Sequence, residues 1–383
     1  MRFGRGGCTV WTCRSRRTAY GRCCRVNRSQ PNDPEPRAPL LARLFGKLWR
    51  RPDTDISPSR GPQTHLVILD GTMSTLSPGD ETNAGLAYKL AQEMGGQLSI
   101  YYEPGLQWRD WRSTHDVVAG RGINRQIRRA YGYLASRYRP GDRIFLMGYS
   151  RGAYAVRSLA GVIDRVGLLE AHHATERNVR LAYRHYECNG ETPAVRQFAE
   201  GFCHADVPIE MVGVWDTVKS LGINAPVLWR LSVARHAFHN HALGDHIKRG
   251  YHALALHETR VVYRPVLWQT TERDVDRIEQ MWFRGTHGDI GGQLGGRHEA
   301  RPLANIPLVW MLERAENAGL PLPEGWQKRF HCDVTAPSIG TFAGWGKVFV
   351  TRRKRVVGAD PSEAVHESFG AAAAVPDAVE QTG

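Results

Sequence analysis

Nowhere in the 383 residues does an apolar run approach the roughly 18 to 20 positions that a membrane-spanning helix requires. The chain also has no tandem repeat and no glycine-rich phosphate loop. Its first residues lack the apolar stretch and small-residue cleavage site of a secretory signal. Cysteine is scarce, at seven residues. Cys8, Cys13, Cys23 and Cys24 follow no regular zinc spacing and have no histidine among them, whereas Cys188, Cys203 and Cys332 are scattered, as reduced thiols are. These absences argue against a helical membrane protein, a solenoid, a P-loop enzyme and a disulfide scaffold. The expected location is the cytoplasm, and no metal or cofactor is expected.

The composition is globular, with 42% apolar residues and eleven tryptophans. The net charge of +13 is unevenly spread. Residues 1–60 hold 14 Lys/Arg against 4 Asp/Glu, leaving 37 against 34 in residues 61–383, so the body is nearly neutral and no specific nucleic-acid partner is expected. Residues 1–60 therefore read as a basic, disordered extension, with too little apolar periodicity to offset the entropy of ordering. Within them Leu41, Leu44, Phe45, Leu48 and Trp49 share one helical face with cations between them. Such a stretch either rests on an anionic membrane surface or docks on its own domain.

From residue 61 to 355 the pattern alternates between strand and helix, which predicts an α/β fold with a mainly parallel sheet covered by helices on both faces. His65–Leu69, "LSIYYEP", Ile144–Met147, "IEMVGVWDTV" and "RIEQMWFRGTHGDIGG" are the strand candidates, and Asn83–Met94, Gly122–Tyr138 and Ala153–Ile163 carry helical spacing. Residues 356–383 read as a flexible tail.

The chemistry gathers at strand ends. In "RIFLMGYSRGAY" Ser150 sits between Gly148 and Gly152 on a strand-to-helix turn, the G-x-S-x-G arrangement that lifts a hydroxyl out of a sheet. Asp216 and His287 follow in chain order after two further apolar runs. A serine needs a neutral imidazole to take its proton, and the imidazole needs a carboxylate to fix its tautomer, so Ser150, His287 and Asp216 are the expected nucleophile, base and orienting acid. The backbone N–H of Arg151 is the expected first oxyanion donor, and the Gly71/Thr72 loop after the first strand is expected to supply the second. Asp289, two residues after His287, is the alternative orienting acid.

Two other readings are weaker. "LDGT" looks like a phosphatase strand end, but Ile68 occupies the nucleophilic aspartate's place. His236, His239, His241 and His246 lack an accompanying carboxylate pattern and read as surface or lid histidines. The apolar segment between Asp216 and His287, with Ile223, Trp229 and Phe238, reads as a packing helix or a lid.

Five blocks, "GYSRGAYAVRSLAGVI", "VGVWDTV", "HALALHETR", "MWFRGTHGDIGG" and "LANIPLVWMLERAENAGL", resemble in order those of an α/β-hydrolase family that includes the phospholipase effectors of bacterial type VI secretion. The likeness covers roughly residues 63–325. It implies an α/β-hydrolase fold and ester hydrolysis by a serine esterase whose triad falls on Ser150, Asp216 and His287. It also implies an ester or lipid substrate and delivery by a dedicated secretion machine. Two blocks depart from the pattern: Met73 and Ser74 stand where the family has tryptophan and asparagine, and His257 replaces an acidic residue before Glu258.

Overall fold

The computed structural model describes residues 60–105, 121–188, 192–218, 242–342 and 351–369. Seven strands form one sheet: β1 (Thr64–Leu69), β2 (Leu98–Glu103), β3 (Arg143–Tyr149), β4 (Ile209–Trp215), β5 (Gly250–Ala255), β6 (Ile278–Phe283) and β7 (Glu363–Val365). Their spatial order is β2-β1-β3-β4-β5-β6-β7, and every pairing is parallel. The α-helices are α1 (Asn83–Gln92), α2 (Arg121–Ala135), α3 (Arg151–Val166), α4 (Glu176–Glu187), α5 (Pro193–Phe202), α6 (His287–Gly291) and α7 (Arg301–Asn317).

The continuous apolar runs are explained by burial on both faces of a parallel sheet. Successive side chains of a strand point to opposite sides, so each run feeds two cores. Val67, Leu69, Ile144 and Leu146 join one core with residues of α2, α3, α4 and α5. Leu66, Ile68, Phe145, Met147 and Tyr149 join the other with residues of α1 and α7. The β3–β4 register shifts at Ile144/Phe145, where the β4 partner moves from Ile209 to Met211. That bulge places Ile209 and Val212 on one face and Met211 on the other. At the centre Trp215 is fully buried and donates its indole N–H to Pro307 O at 3.1 Å.

The order of strands also sets where chemistry can sit. From β1 the chain steps to β2 on one side and then to β3 on the other. The carboxyl ends of β1 and β3 therefore flank a point where the connectivity reverses and a crevice opens. Asp70 and Gly71 follow β1, and Ser150 follows β3.

Two boundaries differ from the sequence pattern. β6 stops at Phe283, and His287 instead opens the short helix α6, because Thr286 and Asp289 close a capping box on each other. The expected tail from residue 356 is corrected in its first part: Glu363–Val365 extends the sheet as β7. Glu363 Oε2 accepts from Trp282 Nε1 at 2.7 Å, and Gln280 N donates to Ser362 O at 2.9 Å. Three residues are too few to display strand periodicity, which is why the sequence pattern misses them. Residues 1–59 and 370–383, with the basic extension and the Leu41–Trp49 stretch, lie outside the described residues.

Candidate active site

Among the described residues three non-glycine positions have positive φ: Met73 at 61°, Ser150 at 57° and Asp216 at 41°. Each lies just past the carboxyl end of β1, β3 or β4. Such conformations cost about 1–3 kcal/mol apiece and persist where the surroundings over-determine them. At Ser150 the turn is held by its N–H donating to Trp215 O at 3.0 Å. Gly152 lets α3 approach β1 closely, since a Cβ there would lie 2.0 Å from Leu69 O.

The strained turns bring three distant residues together. Ser150 Oγ lies 2.9 Å from His287 Nε2, and His287 Nδ1 lies 2.6 Å from Asp216 Oδ2. All three are buried, with exposures of 7%, 5% and 0% for Ser150, His287 and Asp216. The network requires the tautomer in which Nδ1–H donates to Asp216 and the hydroxyl donates to Nε2. Asp289, the alternative orienting acid, faces elsewhere: it accepts from Thr286 N at 2.7 Å, Thr286 Oγ1 at 2.8 Å and Ile339 N at 2.9 Å. It shapes the turn that presents His287.

Arg355 is the residue the sequence pattern missed. Its Nη1 and Nη2 donate to Asp216 Oδ1 and Oδ2 at 2.6 and 2.9 Å, and Nη1 also donates to Ala255 O at 2.8 Å. Ala255 N adds a further bond to Asp216 Oδ1 at 3.1 Å. Burial alone would push the Asp216 carboxyl up, but the Arg355 guanidinium and the imidazole outweigh it and hold the group well below the usual carboxylate range. Asp216 is thus paired with its own counter-ion.

Two rings flank the imidazole, and a second carboxylate holds the His287 backbone. Tyr263 stacks on it at 4.5 Å between centroids and Tyr149 at 5.0 Å. Tyr149 donates its hydroxyl to His287 O at 3.2 Å. The Tyr149 ring is itself slotted between two glycines: a Cβ on Gly71 would lie 2.5 Å from it, and one on Gly291 1.9 Å. Glu258 accepts from His287 N at 3.2 Å and pairs with Arg260 through contacts of 2.6 and 2.9 Å. Beside it His257 Nδ1 accepts from Gly285 N at 3.2 Å, so the histidine that departs from the family pattern ties this loop to the one before His287.

The two loops named for the oxyanion divide differently from expectation. Gly71 N–H is turned onto Asp70 Oδ1 at 2.6 Å and is therefore spoken for. The Thr72 N–H meets no acceptor among the described residues, and Thr72 Oγ1 is buried without a partner. Arg151 opens α3, so its N–H has no intrahelical acceptor. Arg151 and Thr72 thus retain amides for a ligand, and Gly71 contributes by admitting the Tyr149 ring.

Among the described residues one group could gather a metal ion: Glu170, His172 and His173. It follows the far end of α3, whose 16 residues span about 24 Å at 1.5 Å each, and so takes no part at Ser150. His246 pairs with Asp164 at 3.0 Å, whereas His236, His239 and His241 and most of the apolar segment between Asp216 and His287 lie outside the described residues. No described helix is long and apolar enough to cross a membrane.

Comparison with known proteins adds the family. An uncharacterised protein of Saccharomyces cerevisiae, YEL023C, is 28% identical over 221 residues, covering 49% of this chain and 32% of that protein. The crystal structure of an uncharacterised protein from Pseudomonas aeruginosa aligns over 76% of this chain and 50% of its own, at 15% identity and a TM-score of 0.43. The Tle1 effector bound to the VgrG spike of the type 6 secretion system aligns over 61% and 52%, at 14% identity and a TM-score of 0.31. The chain thus spans about a third to a half of the length of these relatives. The model of the family described as "T6SS, Phospholipase effector Tle1-like, catalytic domain" matches residues 63–314. That is well over half of the chain, which therefore belongs to this family of phospholipase-type hydrolase domains.

Proposed function

We propose that the protein is a serine hydrolase that cleaves carboxylic esters through an acyl-enzyme, with phospholipid acyl esters as the substrate class that the family suggests. The observation that carries this reading is the unbroken chain from Ser150 Oγ to His287 Nε2 at 2.9 Å and from His287 Nδ1 to Asp216 Oδ2 at 2.6 Å.

The arrangement supports the following steps. Ser150 Oγ attacks the ester carbonyl carbon while His287 Nε2 takes the hydroxyl proton, and Asp216 stabilises the imidazolium that forms. The carbonyl oxygen, now negative, is received by the Arg151 and Thr72 amides. The intermediate collapses as His287 returns the proton to the departing alkoxide, which leaves as an alcohol. Water then enters, gives its proton to His287 and attacks the acyl group. Collapse of the second intermediate returns that proton to Ser150 and frees the acid. Arg355 keeps Asp216 ionised throughout, so no proton is lost to the carboxylate.

Labelling with a fluorophosphonate probe tests the assignment. The wild-type protein takes up the label, and Ser150→Ala does not. His287→Ala retains the fold by circular dichroism and loses turnover of p-nitrophenyl esters. Undiminished labelling of Ser150→Ala rules the nucleophile out.

A further inference from the structure

Two arginines at the candidate site are neutralised. Arg355 is bound by Asp216 and Arg260 by Glu258. Arg151 is different. It directly follows the nucleophile, it is half-buried, and no carboxylate, hydroxyl or carbonyl among the described residues accepts from its guanidinium. None of its nitrogens is among the sealed, unpartnered atoms, so they remain reachable from outside. Desolvation pulls the Arg151 pKa down, and the opposing influence comes from Tyr263, the ring that stacks on His287 at 4.5 Å. A partly desolvated cation beside a reacting centre is costly to leave unpaired.

We propose that the Arg151 side chain is a subsite for an anionic group of the substrate, a phosphate-type oxyanion carried near the scissile ester. The inference rests on Ser150 being the nucleophile, because only then does the following residue stand beside the bond that breaks. A guanidinium suits such a group, because its planar fork meets two oxygens of a phosphate in parallel, which an ammonium does not. The neighbouring arginines do not compete for the anion, because their own carboxylates already occupy them. Selection for a phosphate-bearing ester over a neutral one would then be built into the turn that carries the nucleophile.

The test compares esters of equal acyl length in monomeric solution: a neutral dihexanoylglycerol, dihexanoyl phosphatidic acid, and a water-soluble butyryl glycerol phosphate with its neutral butyryl glycerol. Wild type, Arg151→Gln and Arg151→Lys are assayed as full chains, with fluorophosphonate labelling of Ser150 reporting that each variant is folded. The kcat/KM ratio of phosphate-bearing to neutral ester is expected to fall about 10- to 100-fold in Arg151→Gln, mainly through KM, the range for a hydrogen bond to a charged group. Arg151→Lys recovers part of it. Inorganic phosphate competes against the neutral ester in wild type and fails to do so in Arg151→Gln. A loss confined to phosphatidic acid assigns the subsite to a lipid headgroup, and a loss in both pairs assigns it to phosphate esters generally. An equal fall for charged and neutral esters, or no competition by phosphate, overturns the proposal and leaves the hydrolase reading intact. If wild type turns over none of the esters and takes up no label, the hydrolase reading fails. The anion site then survives only if phosphate raises the melting temperature of wild type and not of Arg151→Gln, and it falls without that shift.

Discussion

Arg355→Met removes the counter-ion of a fully buried carboxylate while keeping a side chain of similar reach. The pair is sealed, with side-chain exposures of 5% and 0%, and its two contacts are 2.6 and 2.9 Å. Breaking such a pair by removing one partner costs about 3–5 kcal/mol. Coulomb's law gives a similar figure, about 4 kcal/mol for unit charges about 4 Å apart at an effective dielectric of about 20. Against a typical folding stability of about 5–15 kcal/mol this is a large loss, and at a urea slope of about 2–3 kcal/mol per molar it lowers the midpoint by about 1–2 M. The sign with pH follows from the depressed folded pKa of Asp216. The contribution is fully present above the unfolded carboxyl value of about 3.9 and is lost as pH falls through the folded value. The stability that the paired, ionised Asp216 gives the wild type is therefore flat from about pH 7 to 5 and falls below about pH 4. Urea denaturation followed by tryptophan fluorescence, in wild type, Arg355→Met, Asp216→Asn and the double variant, reads all of this. The double variant loses less than the sum of the two single ones. An Arg355→Met midpoint equal to wild type at pH 7, or strict additivity in the cycle, refutes the reasoning.

Two further outcomes follow from the same geometry. Asp216→Asn lowers kcat by about 10⁴-fold because the imidazole is held in the wrong tautomer. Asp289→Asn, which weakens a capping box, acts chiefly on thermal stability, by about 1 kcal/mol, and equal kcat losses in the two variants would contradict the assignment of Asp216. Gly71→Ala drives a methyl into the Tyr149 ring at a position where the Cβ would lie 2.5 Å from it, so the variant loses about 1–3 kcal/mol of stability. On the proposed function its rate with p-nitrophenyl esters falls as the ring shifts against His287, and a variant with wild-type melting temperature and rate would show that the slot is not tight.

The meeting of Ser150, His287 and Asp216 was legible in the sequence because each closes or follows an apolar run, and a run buried on both faces leaves a distinct mark. The parallel sheet was legible for the same reason. Arg355 was not, because it lies in "TRRKRVVG", where four cations stand close together and nothing local marks the one that turns inward. The use of the Gly71 amide was hidden for a different reason: which N–H a carboxylate captures depends on the turn that Asp70 makes with its neighbour, and composition does not encode it. β7 escaped notice because three residues cannot establish a period. His287 was placed at a strand end when it begins a helix, since the capping box that lifts it there is formed by flanking residues whose polarity reads equally well as a loop.

The residue that balances Asp216 lies at position 355, whereas the family match ends at 314. The recognisable domain and the working unit are therefore not coextensive. A chain shortened to the recognisable part would keep Ser150, Asp216 and His287 yet carry an uncompensated charge at its centre. In this chain, whatever detaches the segment around Arg355 would strip Asp216 of its counter-ion while leaving Ser150 and His287 untouched.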